Sequence, residues 1–505
     1  MKRLIGLDIG TTALKAAVFD TSGKLLAVST QEYSLLTPQV NYVEETGEVY
    51  WNALKNAVKD LNEKYPFDRE DEAALAISAQ GETLFFLDEK GKLLRNAIVW
   101  MDNRAQEEAR QLKEKFGDET CYKVTGQVSF EPCWPASKIL WVKNHEPEVF
   151  QKTRKFLLIE DYFIYRLTGL YATEGSLVCS STYWDIREKR YWKEMLDYIG
   201  ISESQLAPVY ESGEAVGTIK KETAEELGLP VNLTVCTGAL DQAAGAIGAG
   251  NCREGFFSET IGAALAICAP VSRPVWDPNR KMPLHYFAVA DTYMIHTFTN
   301  GGMTLRWFRD KFCPVEMQAQ KLGIEDAYNM ISKEAGQIPP GSDGLIMLPH
   351  LAGSNAPDVN ARAKGVWFGF TLQHTRAHFM RSVMESLGYI VKRNIDSLAD
   401  MGIQVKEIRS LGGGSKSQIW NQIKADICQI PLETVTSVEA ASLGAAILAG
   451  KGTGVFEDIY QAVESMVDIK RRTEPDPENA EIYRQGYQMY QKLFRDLEGC
   501  FEESV

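Results

Sequence analysis

The chain opens on an apolar run, residues 4–9, that carries one acid, Asp8, and ends at Gly10-Thr11-Thr12. A run this short, bounded by turn residues, reads as a buried strand. Residues 16–19 read as a second strand, Ser22-Gly23 as a turn and residues 25–30 as a third strand. The period then changes. Val49, Trp51, Leu54, Val58 and Leu61 fall near helical spacing and predict an amphipathic helix over 48–61. Residues 74–78 are a buried strand ending in Ala79-Gln80-Gly81-Glu82-Thr83, and a strand over 84–87 follows. A strand over 97–100 delivers Met101-Asp102-Asn103-Arg104 and a charged helix to about Phe116. Pro135 starts a helix that runs on through Val142, since proline suits the first helical turn. A further helix is expected over 156–167, closed by Thr168-Gly169, and residues 175–185 read as a Ser/Thr-rich loop with aromatics.

The second half repeats this logic. Residues 235–250 are a strand leading into a helix of almost only small residues, with Asp241 near its start. Residues 256–267 read as strand, glycine turn and strand, an echo of the opening hairpin with the carboxylate moved. Residues 286–290 and 293–298 form a hairpin, and Asn300-Gly301-Gly302 precedes a helix. A buried strand over 344–349 and a long helix over 377–401 come next. A strand over 408–411 runs into Gly412-Gly413-Gly414, with helices over 418–428, 440–450 and 477–498 beyond it. Each half therefore has a glycine-turn hairpin near its start and a small-residue helix near its end. Two copies of one α/β unit, residues 1–250 and 251–505, with those helices crossing between them, would make a cleft with a hinge.

At 505 residues the chain exceeds one typical domain, and it is 45% hydrophobic and 24% charged, an ordinary soluble composition. A net charge of −14 argues against nucleic acid or an anionic membrane as the main partner, though not against a local cationic pocket. The nine scattered cysteines fit reduced thiols in a cytoplasm better than a disulfide scaffold. The start of the chain reads directly as a strand, so no signal peptide is evident, and no run of about 18 apolar residues spans a membrane. His374 and His378 share a helix face but lack the HExxH context of a zinc site, and read as structural.

Four stretches carry candidate chemistry. Asp8 can hold Mg²⁺ through its waters, while Gly10, Thr11 and Thr12 let backbone and hydroxyls approach phosphate; the same residues also suit a plain buried strand with a polar turn. Gly412-Gly413-Gly414 can lie under a flat nucleoside, or be a tight turn. Asp241 can accept a hydroxyl proton, or cap its helix. Gln80, Glu82, Trp100 and Asp102 stand at strand ends, where open α/β folds place ligands, although Trp100 can equally be core.

Together these pieces resemble the FGGY-type carbohydrate kinases over nearly the whole chain. The family's order is met by Asp8 to Thr12, by Trp100, Asp102 and Arg104, by Asp241-Gln242, by Gly412 to Gly414 and by Leu443 to Ala446. Its two signatures resemble Cys133-Trp134-Pro135 through Lys138, Trp141 and His145, and Gly365 to Gly369 through His378, Ser382 and Glu385, with departures at Cys133 and Phe370. The resemblance implies a duplicated actin-like, ribonuclease-H-like α/β fold with ATP and Mg²⁺ in the cleft. Asp241 then matches the catalytic base, and Asp8 the metal site. Gly10, Thr11, Thr12, Gly262, Gly302, Gly413, Gly414 and Ser417 match places that contact nucleotide, and Gln80, Glu82, Trp100, Asp241 and Gln242 places that contact the sugar or polyol. A homodimer is the assembly the resemblance suggests.

The departures bear on the acceptor. Gln80-Gly81-Glu82-Thr83 matches neither the xylulokinase nor the glycerol kinase pattern in full, and Gly81 leaves space that does not constrain acceptor size. The second phosphate turn has Ala263 where the family usually has threonine, so one hydroxyl is missing. The expected activity is transfer of the ATP γ-phosphoryl group to a small sugar. A pentulose such as xylulose leads, and another polyol or ketose, glycerol- or erythritol-like, is the alternative. A non-catalytic sugar sensor and an actin-like ATPase are the rival classes.

Overall fold

The computed structural model describes residues 2–262 and 264–503. Its frame is a pair of seven-stranded sheets. The first is built from β1 (Arg3–Ile9), β2 (Ala13–Phe19), β3 (Leu25–Glu32), β4 (Ala73–Ala79), β5 (Ala215–Thr218), β6 (Thr234–Cys236) and β7 (Ala239–Leu240). Their order is β5-β6-β4-β1-β2-β3, with β7 beside the far end of β4. The second sheet comprises β8 (Phe256–Ile261), β9 (Ala264–Val271), β10 (Leu284–Tyr286), β11 (Tyr293–Asn300), β12 (Glu407–Gly412), β13 (Leu432–Val435) and β14 (Ile469–Thr473). Its order is β10-β11-β9-β8-β12-β13-β14.

Six strands of one order correspond to six of the other, and β7 and β10 have no counterpart. In each half the opening strand pairs antiparallel with the next and parallel with a later one, β1 with β4 and β8 with β12. A second parallel strand and then an antiparallel edge strand follow on that side, β6 and β5 in one half, β13 and β14 in the other. The central strands β1 and β4 are almost wholly buried, as expected of parallel strands covered on both faces.

Local signals place the helices. In α1 (Gly47–Lys64) the Thr46 side chain accepts from Val49 N, Glu48 sits in the first turn and Lys64 in the last, each favourable to the helix dipole. Helix α2 (Pro135–His145) begins at its proline. Helix α3 (Asp241–Gly248) follows β7 directly, α4 (Gly302–Phe312) follows β11, α5 (Gln418–Cys428) precedes β13, and α6 (Ala440–Gly452) follows it. Two expectations need correction. Residues 155–158 are a strand, not the start of a helix, because they pair with Leu84–Leu87 in a four-stranded side sheet; a short apolar run has no readable period. Residues 175–181 form two short helical turns that are fully buried, not a loop, and Glu174 caps the first of them. No helix among the described residues is long and apolar enough to cross a membrane.

Helices α3 and α6 cross between the halves with their backbones in contact. A Cβ on Gly248 would lie 1.9 Å from the Ala440 carbonyl oxygen, and one on Gly444 would lie 1.9 Å from that of Ala244. Helix α6 of the second half also lies on the first sheet, where a Cβ on Gly6 of β1 would fall 1.8 Å from the Ser442 carbonyl oxygen. The segment before β10 reaches back too: Leu284 N donates to Gly126 O at 2.9 Å and the Tyr122 hydroxyl to Met282 O at 2.7 Å.

Helix propensity favours alanine over glycine by about 1 kcal/mol. Gly444→Ala is nevertheless expected to destabilise, because overpacking against backbone costs about 1–3 kcal/mol and two helices cannot yield independently. Gly499→Ala, with nothing near its Cβ, serves as the control. Thermal melts check the pair; a Gly444→Ala protein at least as stable as the parent would show that the crossing tolerates side chains.

Candidate active site

Strand β4 is the reference for the site. Asp8 of β1 stands beside Ser78 of β4 in the parallel ladder, and the Ser78 hydroxyl donates to Asp8 Oδ1 at 3.0 Å. Across the antiparallel ladder Asp8 faces Lys15 of β2, whose ammonium pairs at 2.8 Å with Glu439 just before α6. Burial pushes the Asp8 carboxyl up; Ser78 and Lys15 oppose this and Glu439 adds to it. On the other edge of β4, β7 pairs with Ser78 and Ala79 and delivers Asp241 as the first residue of α3. Burial, then the charges of Asp8 and Glu82, push the Asp241 carboxyl up to about 7, against hydrogen bonds from Gln242. A carboxylate poised there suits a general base at neutral pH.

The turn after Asp8 is closed by Gly10 N donating to Ala13 O at 3.0 Å. The Trp100 indole N–H donates to Thr11 Oγ1 at 2.8 Å. That bond occupies the indole N–H and leaves the Thr11 proton free to point away. Thr12 is exposed beyond it.

Gln80, Glu82 and Trp100 stand at strand ends, where Trp100 N donates to Thr83 Oγ1 at 3.2 Å, and none of the three lines the cavity between the halves. Gln80 is buried; its Nε2 donates to the Tyr50 hydroxyl at 3.2 Å, while its Oε1 has no partner among the described residues. Glu82 has a left-handed backbone, φ 54°, a strained state that clusters at functional sites. Lys138 of α2, wholly buried, donates to Glu82 O at 2.9 Å and Val99 O at 3.0 Å, clamping both strand ends with one ammonium. Burial lowers the Lys138 ammonium to about 8. Burial raises the Glu82 carboxyl, offset by the Ser180 hydroxyl and Lys138.

Two readings of this region are corrected. Asp102 is not available to a ligand: Arg104 grips both its oxygens and Val43 N donates to one, while Arg104 also pairs with Glu44 at 2.7 Å and lies over the Tyr42 ring at 3.9 Å. Gly81 does not leave space either, since a Cβ there would come within 3.0 Å of Leu240 Cδ1.

A cavity of about 750 Å³ opens between the halves. Asp8, Gly10, Lys15, Asp241 and Gln242 line it from the first half, and Thr260, Gly412, Gly413, Lys416, Asn421, Lys470 and Arg471 from the second. Thr260 stands two residues before its turn glycine, as Asp8 does. Glu259, one step earlier, points through the opposite face of the sheet and is buried in an ion pair with Lys424. The moved carboxylate therefore never reaches the cleft. Gly302 and Gly262 meet where α4 begins, a Cβ on Gly302 falling 2.2 Å from Gly262 O, so a helix N-terminus backs the second turn. Ala263 lies outside the described residues.

The triple glycine divides. Gly412 and Gly413 face the cavity, whereas Gly414 is buried against Ile261 and Trp420. Ser417 caps α5: its oxygen accepts from Trp420 N at 3.2 Å and its hydroxyl donates to Ser332 at 3.0 Å, off the cavity wall. The sequence reasoning missed Lys15, Ser78 and the role of Lys138. Lys15 was readable from hairpin register, since closure at Gly10 and Ala13 puts it opposite Asp8; the Lys138 clamp depends on tertiary packing and carries no local signal.

The residues fit a nucleotide with a divalent cation. The cavity matches the 300–1,000 Å³ common for such ligands, and Lys15, Lys416, Lys470 and Arg471 gather positive charge in an acidic protein. No group of three or more His, Cys, Asp or Glu among the described residues could hold a metal alone. A metal at Asp8 would keep waters and phosphate oxygens as its other ligands, the habit of Mg²⁺.

Comparisons with known proteins agree. The model for the N-terminal domain of the FGGY family of carbohydrate kinases matches residues 3–248, and that for its C-terminal domain residues 273–452. A xylulose kinase of Bacillus subtilis is 30% identical over 496 residues, 98% of this chain and 97% of that protein. A gluconokinase of Bacillus licheniformis is 30% identical over 504 residues, 99% of this chain and 97% of that protein. The ligand-bound crystal structure of a Lactobacillus acidophilus xylulose kinase superposes with a TM-score of 0.90 at 27% identity, covering 100% of both chains.

Two outcomes follow from this geometry. Were Asp241 to act as a base, it would work unprotonated, and kcat/KM would fall as pH drops through about 7. Glu82→Gln removes one charge that raises Asp241, so the half-point should move to lower pH; an unmoved half-point in a pH–rate profile would separate Glu82 from Asp241. Lys138→Met takes the ammonium from Glu82 O, worth roughly 1–3 kcal/mol, while Val99 O keeps its bond from Asp102 N. Steady-state kinetics should show the acceptor KM rising about tenfold or more with the ATP KM unchanged.

Proposed function

The chain belongs to the FGGY family of carbohydrate kinases and is a phosphotransferase acting on a sugar hydroxyl, and we propose that its acceptor is an uncharged ketose, with a five-carbon ketose such as xylulose leading. The observation that carries this reading is electrostatic. Asp8 and Asp241 line the cleft where the acceptor would sit, Glu82 adds its charge to Asp241 from off the cavity wall, and each of the three is raised by burial. The cations that act on them are committed, Lys15 to Glu439 and Lys138 to two carbonyls. Buried Gln80 Oε1 offers an acceptor to a hydroxyl. Hydroxyls donate well to such a pocket. A sugar acid does not suit it, since like charges 4 Å apart cost on the order of 4 kcal/mol at an effective dielectric of about 20. Relatives of both kinds exist, and this argument favours the xylulose kinases over the gluconokinases.

In this reading Asp241 takes the proton from the acceptor hydroxyl as its oxygen bonds to the γ-phosphorus and ADP departs. Asp8 would hold Mg²⁺, which when bound supplies positive charge against the phosphates. Lys15, Thr11, Thr12 and the Gly262–Gly302 corner would contact phosphate oxygens, and Gly413 would lie beside the nucleoside. Gln80, Glu82, Trp100 and Gln242 would hold the sugar. Residues 1–250 and 251–505 would act as the two kinase domains, closing about the α3–α6 crossing to exclude water.

A coupled assay of ADP release over pentuloses, polyols, aldoses and gluconate tests this. The expected result is release with a neutral pentulose, a gluconate kcat/KM about 100-fold or more lower, and loss of about 100-fold or more in Asp241→Asn with ATP binding retained. Gluconate as the best acceptor would overturn the neutral-acceptor reading. Sugar-independent release would indicate an ATPase, and a polyol optimum a shorter acceptor.

A further inference from the structure

Behind Asp241, on the side away from the cavity, lies a cluster of buried carboxyls that the reaction does not touch. The strand β7 that carries Asp241 is only two residues long and pairs along one edge. Side chains hold the rest of its backbone. Gly238 N donates to Glu160 Oε1 at 2.7 Å, and Leu240 N donates to Ser176 Oγ at 3.0 Å. The Ser176 hydroxyl in turn donates to Glu174 Oε1 at 2.9 Å, and Glu174 Oε2 accepts from Ser176 N and the Ser212 hydroxyl, each at 2.7 Å. Gly238 is itself pressed on β4, where a Cβ would lie 1.7 Å from Ile77 O.

Glu160 and Glu174 are both wholly buried and repel one another, and burial pushes Glu174 up to about 7 and Glu160 well above its ordinary value. Such groups are costly to bury, and apolar residues of similar volume would usually serve stability as well or better. What these carboxyls do that apolar residues cannot is accept backbone and hydroxyl protons around residues 238–240. That is the segment whose last residue precedes the proposed base.

We propose that Glu160 and the Ser176–Glu174 pair are positioning residues: they hold the backbone of residues 238–240 so that the Asp241 carboxylate stays at its place between Asp8 and Glu82. This rests on Asp241 as base. They act through Asp241 and touch no reacting atom. The fold itself anchors β7 through β4, so their loss misplaces the carboxylate without opening the sheet. A misplacement of about 1 Å can cost on the order of 100-fold in rate.

The test is a mutant cycle in the full-length enzyme. Glu160→Ala should lower kcat about 30-fold or more, with the ATP KM within about twofold. Glu160→Gln keeps an oxygen for Gly238 N and should recover kcat to within about threefold of the parent. Ser176→Ala should lower kcat about fivefold or more, and decides the matter if Glu160→Ala does not fold. Adding Glu160→Ala to Asp241→Asn should cost nothing further, since a positioning group has no effect once its charge is gone. The proposal is overturned by a Glu160→Ala or Ser176→Ala enzyme within twofold of the parent, by Glu160→Gln as poor as Glu160→Ala, or by multiplicative losses in the double variant. A fully active Asp241→Asn enzyme would instead remove the base assignment itself.

Discussion

Two helices that touch backbone to backbone set the working geometry of this protein. Because Gly248 and Gly444 have no side chain, α3 and α6 cross at a separation that any Cβ would prevent. The N-terminus of α3 carries Asp241, and Glu439 stands just before α6. Both helix starts therefore open into the same cavity, one with Asp241 and one with the partner of Lys15. The crossing also explains why these helices consist of small residues: their sequence is chosen for what it leaves out. A contact made through few side chains transmits position and leaves rotation about the crossing comparatively cheap, which suits a hinge.

The duplication stops where chemistry begins. Both halves present strand, glycine turn and strand to the cleft, yet only the first offers it a carboxylate. Side chains alternate along a strand, so moving the acid by one position sends Glu259 through the sheet into an ion pair with Lys424, while Thr260 takes the cleft position. A symmetric arrangement would have put two carboxylates against the same phosphates. Instead the second half contributes glycines, hydroxyls and the start of α4. The acids of the first half are indexed to β4, Asp8 through Ser78 and Asp241 through β7, and the acid the second half brings to the cavity, Glu439, is paired with Lys15.

The fold was largely readable because its signals are local. Buried parallel strands are apolar throughout, glycine turns end them, and the two small-residue helices lack the spacing of ordinary amphipathic ones. The elements that failed are those whose pattern is ambiguous. Residues 155–158 form a strand only because Leu84–Leu87 lies alongside, and residues 175–181 are buried although rich in serine, because Glu174 and its neighbours satisfy their polar groups. At the site, motif residues such as Asp8, Gly413 and Asp241 reach the cavity, while Gly414 and Ser417, one and four positions after Gly413, serve the core and the cap. Asp102 illustrates the limit best. Its place after Trp100 suggested a ligand, but whether a carboxylate faces a cavity or an arginine is decided by Arg104, and no spacing rule reads that.

Charge is sorted along the cleft. Toward the second half, Lys416, Lys470 and Arg471 make a positive margin suited to a polyphosphate, in a protein whose net charge is −14. Toward the first half stand the carboxyls of Asp8 and Asp241, with the charge of Glu82 acting on Asp241 from off the cavity wall, and the ammonium of Lys138 is turned to backbone carbonyls. Such a gradient orients two substrates without contacting both at once, because a phosphate is repelled from the acceptor end and a neutral polyol gains little at the donor end. It also links binding to reactivity. The same crowding of negative charge that would disfavour an anionic acceptor raises Asp241 towards neutrality, so under the proposed function one arrangement of carboxyls would both select the acceptor and prepare its base.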